Sequence, residues 1–107
     1  MSNLKYRIII PVYNDNKSVN ILLNKIHDIS KKSQFFFDIL IIDDCSDKNI
    51  DITIQNFKKN LSINILKLNQ NLGHQKAIFM GLIYTLDNPV DKIIIMDSDG
   101  EDNPNNI

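Results

Sequence analysis

Four short apolar runs alternate along this chain with segments patterned as helices, and this alternation constrains the fold more than any other feature. The first run, residues 8–12, is continuous and rich in β-branched side chains, as expected of a strand buried on both faces. The segment after it carries apolar residues at helical spacing, and the alternation then continues. The order strand, helix, strand, helix, strand, helix, strand predicts an α/β fold with an open, doubly wound, mostly parallel sheet and helices on both faces.

The predicted elements begin and end at local signals in the sequence. The strands cover residues 8–12, 35–42, 63–68 and 93–96. Asp15 or Asn16 is available to cap the first helix. The last helix begins at His74 and ends at Asn88, which precedes a proline. Gly81 lies inside that helix at a cost of about 1 kcal/mol relative to alanine, so we expect close packing against the sheet there.

The segment of residues 50–61 carries apolar side chains at two different periods. Its first isoleucines alternate with polar residues, as in a strand. A helical spacing of three or four residues runs through Ile50, Ile54, Phe57 and Leu61. The length available favours a helix, and the strand stays the alternative.

Composition excludes several classes of function. The 107 residues fit one small domain over residues 1–107. The formal net charge of −1 supplies no basic field, so nucleic acid is not an expected partner. One cysteine, Cys45, rules out an internal disulfide and fits a reducing compartment. No apolar stretch approaches the roughly 20 residues that span a bilayer, and no signal-peptide core is seen, so we predict a cytoplasmic location.

Polar side chains gather where each predicted strand ends. The four clusters lie at residues 11–15, 43–47, 69–74 and 97–102. In an open parallel sheet, ligands bind outside the carboxyl ends of the strands, at the point where the strand order reverses. If the first and fourth strands are neighbours across that reversal, Tyr13 and Asp15 meet Asp97 and Asp99 in one crevice. Four clusters at one sheet edge therefore predict a binding site.

The last cluster offers carboxylates to a metal ion. An apolar run delivers Asp97 and Asp99 with one residue between them. Mg²⁺ and Mn²⁺ prefer oxygen ligands, and one or two carboxylates with substrate phosphates often complete their shell. Taken alone, the same residues also suit a solvated acidic turn. An EF-hand is excluded because Gly100 lies fourth from Asp97 rather than sixth, and the glycine-rich dinucleotide and P-loop motifs are absent from the sequence.

The four clusters form ordered motifs that resemble those of family 2 glycosyltransferases. They are Ile8-Ile-Ile-Pro-Val-Tyr-Asn-Asp15, Leu40-Ile-Ile-Asp-Asp-Cys-Ser46, Asn69-Gln-Asn-Leu-Gly-His-Gln75 and Met96-Asp-Ser-Asp-Gly100. The last two are most similar to polyprenyl-phosphate sugar transferases of the dolichol-phosphate-mannose-synthase type. Asp15 departs from the family's more common Glu, and Asp47-Lys48 from its usual Thr-Asp. The resemblance implies the Rossmann-like, nucleotide-sugar-binding half of a GT-A fold.

The resemblance implies a nucleotide pocket at the first two motifs. Pro11, Tyr13 and Asp15 would line this pocket, with Tyr13 against the base. Asp43 or Asp44 would accept a hydrogen bond from the base, and both stay candidates. Each assignment has an alternative, since Tyr13 could pack at the strand end and either aspartate could cap the following turn.

The resemblance also implies a metal-diphosphate site at the last motif. Asp97 would lie near the ribose and the metal, and Asp99 would coordinate the Mg²⁺ or Mn²⁺ that bridges the diphosphate of a nucleotide-diphospho-sugar. Glu101 stands where some members of the family have Gln, which leaves its role open. His74 is expected to do no more than begin its helix. No catalytic residue is assigned.

The resembled family continues beyond these motifs into an acceptor half. We therefore expect the amino-terminal, donor-binding portion of a truncated glycosyltransferase. The acceptor would be polyprenyl phosphate or a saccharide, and a lipid-linked acceptor would place the chain at the cytoplasmic face of a membrane. The alternative is a fragment that binds nucleotide and metal but needs a missing carboxyl-terminal half to transfer sugar.

Overall fold

A computed structural model describes residues 4–55 and 59–98, which form a four-stranded parallel sheet with a helix on each face. In chain order the elements are β1 (Lys5–Val12), α1 (Asn16–Lys31), β2 (Phe36–Asp43), β3 (Leu61–Lys67), α2 (His74–Asp87) and β4 (Lys92–Ile95). The strand order is β3-β2-β1-β4. The chain therefore builds the sheet outward from β1 in one direction and then returns to its other side. This confirms the predicted doubly wound α/β fold.

Continuous apolar strands are required because both faces of β1 and β2 are covered. Successive side chains of a strand point to opposite faces. Ile8 and Ile10 accordingly pack with Leu23 in the core on the α1 side of the sheet. Ile9 packs with Ala77 in the core on the α2 side. A strand with one polar face would leave one of these two cores unfilled.

Both described helices begin and end where the sequence predicts. Asp15 caps α1, and its Oδ1 accepts a hydrogen bond from the Ser18 amide at 3.2 Å. Helix α2 begins at His74 and Asn88 caps its end. A Cβ atom at Gly81 would lie 2.9 Å from Cγ2 of Ile9, which is closer than carbon atoms pack. The expected close approach of α2 to the sheet is therefore confirmed.

The predicted helix in residues 50–61 is wrong over the part that the structure describes. Residues 50–55 form no helix, residues 56–58 lie outside the described part of the chain, and Leu61 already begins β3. The alternating isoleucines were the informative pattern. Ile54 is buried in the α1-side core, and Ile50 and Ile52 pack against that core. This irregular segment buries Ile54 and partly buries Ile50 and Ile52, and side chains of α1 supply partners for its backbone.

Asn20→Ala is expected to release this segment and to lower the free energy of unfolding by about 2 kcal/mol, at roughly 1 kcal/mol per lost hydrogen bond. Asn20 is buried on α1, where its Nδ2 donates to the Asp51 carbonyl at 2.8 Å and its Oδ1 accepts from the Thr53 amide at 3.0 Å. Urea unfolding and hydrogen exchange at the Thr53 amide measure the two effects.

The matched control for this substitution is Asn24→Ala. Asn24 is exposed on the same helix, and its Nδ2 donates to the Asn20 carbonyl at 2.9 Å. We expect a change below about 0.5 kcal/mol, as is usual for surface substitutions. Equal exchange of the Thr53 amide in the two variants would contradict the anchoring role of Asn20.

Candidate functional site

The strand order reverses between β1 and β4. β1 pairs with β2 on one side and with β4 on the other, and Ile9 of β1 lies opposite Ile95 of β4. The amide of Met96 donates to the Ile9 carbonyl at 3.0 Å, so pairing continues to the end of β4. The predicted adjacency of the first and fourth strands is confirmed. The polar residues that follow both strands are therefore brought to the same edge of the sheet.

An acidic cleft lies at this reversal. It is lined by Tyr13, Asp15, His74, Asp97 and Ser98. It unites three of the predicted site residues, two from the loop after β1 and one from the end of β4. The Nε2 atom of His74 lies 3.0 Å from Oδ1 of Asp97 and closes the side next to α2. Asp99, the predicted metal ligand, lies outside the described residues, as do residues 100–102.

A second cleft of about 320 Å³ adjoins the first between β1 and the amino end of α2, and we call it the β1–α2 cleft. Its lining residues are Pro11, Val12, Tyr13, Asp44, Asn71, Gly73, His74 and Ala77. Tyr13 and His74 line both clefts, so the two are neighbours at these side chains. Tyr13 is 51% exposed and thus offers a ring face to a ligand instead of filling the core.

Asp44 connects the end of β2 to the loop before α2. Its carboxylate accepts two backbone hydrogen bonds, from the Leu72 amide at 2.7 Å and from the Gly73 amide at 2.9 Å. Gly73 has a φ of 92°, a conformation that glycine adopts without penalty. The carboxylate is only 3% exposed, yet it lies in the wall of the β1–α2 cleft. Asp44 therefore shapes that wall.

Asp43 faces the other side of the sheet. Its Oδ1 accepts a hydrogen bond from the Ser46 amide at 2.9 Å, and its Oδ2 lies 3.6 Å from Nζ of Lys67. It is 1% exposed and lines neither of the two clefts. Asp43 thus caps the following turn, as the alternative allowed, whereas Asp44 binds the loop before α2 and lines a cleft.

The loops after β1 and β2 hold each other through side chains. Asn14 adopts a left-handed conformation with a φ of 51°, which asparagine tolerates better than most residues. Its amide donates to Oγ of Ser46 at 2.9 Å, and its Oδ1 accepts from the Asp47 amide at 2.8 Å. Tyr13 and Asp15 flank Asn14, so this contact fixes the base from which both reach the clefts.

Among the described residues, few side chains are placed to bind a metal ion, as is typical of nucleotide sites. No group of three or more His, Cys, Asp or Glu side chains suited to a metal occurs among residues 4–55 and 59–98. Asp15 and Asp97 line one cleft, however, and Mg²⁺ commonly binds through one or two carboxylates with phosphates completing its shell.

Sequence analysis alone missed the contribution of three residues to these clefts. His74 was assigned only to the start of its helix, yet it contacts Asp97. Asn71 and Ser98 line the clefts without having been singled out. Their position directly after strands β3 and β4 was the available signal. The loop after β3 folds toward β1 because Asp44 binds its amides.

Comparison with known proteins identifies the family of this chain. The sheet, with polar clefts at its strand-order reversal, defines an α/β protein of the ligand-binding, doubly wound class. The sequence model of glycosyl transferase family 2 matches residues 7–107. The chain therefore belongs to glycosyltransferase family 2.

Two curated relatives support this assignment. The chain is 34% identical over 108 residues to an undecaprenyl-phosphate 4-deoxy-4-formamido-L-arabinose transferase from Photorhabdus laumondii, covering 96% of this chain and 31% of the relative. It is 28% identical over 102 residues to an uncharacterized glycosyltransferase, sll0501, from Synechocystis, covering 94% of this chain and 31% of the relative. The chain spans about a third of the length of each.

Proposed function

We propose that this family 2 glycosyltransferase chain binds a nucleotide-diphospho-sugar together with Mg²⁺ or Mn²⁺, as the donor-binding part of a sugar transfer. The observation that carries the proposal is the meeting of Tyr13, Asp15 and Asp97 in one cleft at the strand-order reversal. Binding sites in doubly wound sheets lie at this point. The adjoining β1–α2 cleft provides room for the nucleoside.

In this arrangement the base occupies the β1–α2 cleft. Pro11 is buried in the wall and Tyr13 presents its ring, which suits stacking against a planar base. Of the two candidate aspartates, the geometry favours Asp44 as the acceptor for a base N–H. A carboxylate has about four lone-pair sites, and two backbone amides engage Asp44. Asp43 supports the turn behind it.

The diphosphate then lies in the acidic cleft, with Asp15 and Asp97 in its wall. Asp97 is 34% exposed at its side chain and is thus accessible to a ligand. Asp97 and Asp99 would hold a divalent cation there, and the cation would supply positive charge that favours departure of the nucleoside diphosphate from the anomeric carbon of the sugar. Carboxylates alone would repel the diphosphate, which is why this proposal requires the cation.

The acceptor in this proposal is polyprenyl phosphate or a saccharide. The name of the Photorhabdus relative refers to undecaprenyl phosphate, which makes a lipid phosphate the first acceptor to test. Such an acceptor would bring the chain to the cytoplasmic face of a membrane. No helix among the described residues is long and apolar enough to cross a bilayer.

A second candidate function is a binding module that holds nucleotide and metal without transferring sugar by itself. The observation that favours it is the 31% share of the two relatives that this chain covers. A radiolabelled sugar-transfer assay with polyprenyl phosphate separates the candidates. Turnover by the 107-residue chain supports the transferase, and binding without turnover supports the module.

Calorimetry with UDP and with GDP, each in the presence of Mn²⁺, tests the site itself. We expect the chain to bind one of them only when Mn²⁺ is present, and Asp97→Asn to weaken binding at least about tenfold, because a charged ligand to the cation is lost. Asp28→Asn is the matched control, since Asp28 is exposed on α1 and pairs with Lys31 at 3.3 Å. Folded protein that binds neither nucleotide would refute the proposal.

A further inference from the structure

His74 holds a position that its expected role as the first residue of a helix does not explain. It begins α2, and its ring lines both the acidic cleft and the β1–α2 cleft. Its Nε2 lies 3.0 Å from Oδ1 of Asp97, at the end of β4. The contact therefore joins the amino end of α2 to the far side of the strand-order reversal.

This contact contributes little to the stability of the fold. The side chains of His74 and Asp97 are 56% and 34% exposed, and ion pairs at such exposure stabilise proteins by about 0–1 kcal/mol. Its main consequence is therefore the orientation of a carboxylate. Carboxylates and imidazoles that bind metals are themselves held by neighbouring hydrogen bonds, which fix their direction.

Asp97 lies just beyond the regular pairing of β4. The Met96 amide before it donates to the Ile9 carbonyl of β1 at 3.0 Å. Asp97 comes directly after Met96, where the regular sheet has ended. His74, by contrast, is fixed by its helix and by the loop that Asp44 binds. A side chain carried by α2 thus meets a carboxylate beyond the end of β4.

We propose that His74 is a positioning residue, which holds the Asp97 carboxylate toward the acidic cleft for the divalent cation of the bound nucleotide. This inference rests on the proposed function, because it takes the cation and the nucleoside diphosphate to be ligands of that cleft. His74 acts here through Asp97, and the imidazole itself needs no contact with the cation. In this proposal Nε2 carries a proton and donates it in a hydrogen bond to Oδ1, which lies 3.0 Å away.

Electron paramagnetic resonance of Mn²⁺ tests the inference without relying on activity. Free Mn²⁺ is titrated with the chain in the presence of whichever of UDP and GDP binds more tightly. We expect His74→Ala to weaken Mn²⁺ binding by about 10-fold or more, the range seen for residues that orient metal ligands. His74→Gln, whose side-chain amide can still donate, should recover most of that loss. Gln75→Ala, the exposed neighbour on α2 that lines neither cleft, should stay within about twofold of the wild type.

Two further measurements separate a positioning role of His74 from an effect on folding and from an effect that does not act through Asp97. The urea midpoint of His74→Ala should match that of the wild type, because the exposed pair stabilises the fold so little. In the Asp97→Asn background, His74→Ala should have no further effect on Mn²⁺ binding, since the two side chains act together.

The possible failures are distinguishable. If Mn²⁺ binding is lost in Asp97→Asn but is unchanged or tighter in His74→Ala, the positioning role is wrong and the proposed function stands. If His74→Gln binds as weakly as His74→Ala, the donated hydrogen bond is not the cause. If the wild-type chain binds no Mn²⁺ with either nucleotide, both proposals are wrong.

Discussion

Asp38→Ala is expected to lower the free energy of unfolding by about 3–5 kcal/mol, the usual result of removing one partner of a buried ion pair. Asp38 lies near the amino end of β2 beside Arg7 of β1, and Asp38 and Arg7 are 7% and 2% exposed. Both Nε and Nη2 of Arg7 donate to Oδ2 of Asp38. Without the carboxylate, the guanidinium stays buried as an uncompensated charge. Urea unfolding monitored by circular dichroism measures the loss.

The expected loss is large because the pair belongs to a network that spans the sheet. Nη1 of Arg7 donates to Oγ1 of Thr85 at 3.2 Å and to the Asn88 carbonyl at 2.6 Å, which ties the end of α2 to β1. Oδ1 of Asp38 accepts a hydrogen bond from Oγ of Ser62 on β3 at 2.9 Å. A domain of this size is stable by about 5–15 kcal/mol, so the variant could lose most of its stability.

The double variant Arg7→Met/Asp38→Leu separates charge from packing. Replacing a buried ion pair by apolar residues of similar size is often neutral or stabilising. We therefore expect the double variant to be more stable than Asp38→Ala, with an unfolding free energy within about 2 kcal/mol of the wild type. A double variant no more stable than Asp38→Ala would contradict this expectation and would show that apolar packing cannot replace the ion pair. The network lies near the amino end of β1, about five residues or roughly 16 Å from the clefts.

The sequence predicted the sheet well because its elements follow simple periods. Strands buried on both faces require unbroken apolar runs, and the helices require a stripe every three to four residues. Gly81 was predictable for a similar reason, since only close packing explains glycine inside a helix, and Ile9 indeed approaches its Cα. Asp15 was one of two candidates for the cap of α1, and the structure shows that it is the cap.

The irregular segment before β3 could not be predicted from its own residues. Its isoleucines fit two periods, and the choice between them depended on partners about 30 residues away. Asn16 accepts a hydrogen bond from the Asp51 amide, and Asn20 engages Asp51 and Thr53. These contacts give an isolated stretch of chain the backbone partners that a helix would otherwise supply from within. These contacts outweighed the helical propensity of the segment.

The Arg7–Asp38 pair depended on register in the same way. Arg7 directly precedes the first apolar run and Asp38 interrupts the second, which is an informative signal because such side chains are rarely buried unless paired. Only the pairing of β1 with β2 places one directly beside the other. Strand parity agrees with the position of Asp43, the last residue of β2, which shares the face of Ile41. Asp44 is the first residue after the strand, and its hydrogen bonds with the Leu72 and Gly73 amides fix its position. The sequence shows which residues of β2 share a face, but it does not show which face of the sheet α2 covers.

Asp44→Ala is expected to lower the free energy of unfolding by about 3 kcal/mol and to weaken nucleotide binding as well. The carboxylate accepts hydrogen bonds from the amides of Leu72 and Gly73, and bonds to a charged group contribute about 1.5–3 kcal/mol each. Their loss leaves two amides of a tight turn without these acceptors, directly before the first residue of α2. Urea unfolding and calorimetry with Mn²⁺ and nucleotide measure the two effects.

Asp47→Ala is the matched control, because Asp47 lies in the loop after the same strand but is exposed. Its carboxylate accepts only a 3.3 Å hydrogen bond from Asn14, so we expect a loss below about 1 kcal/mol and no change in binding. If Asp44→Ala unfolded at the same urea concentration as this control, Asp44 would not be what holds the loop before α2.

Asp44→Asn then distinguishes the role of Asp44 in holding the turn from a role in binding the base. The amide keeps one oxygen for a backbone N–H, but its nitrogen is a donor where the carboxylate offered an acceptor. An intermediate loss of stability follows from the one bond that is kept. If a base N–H also binds this side chain, nucleotide affinity should fall more than stability does, because the ligand and the two amides compete for a single oxygen. Unchanged nucleotide affinity in Asp44→Asn would assign Asp44 to the turn alone. The base would then need another partner in the β1–α2 cleft, and Asn71 is the alternative in its wall.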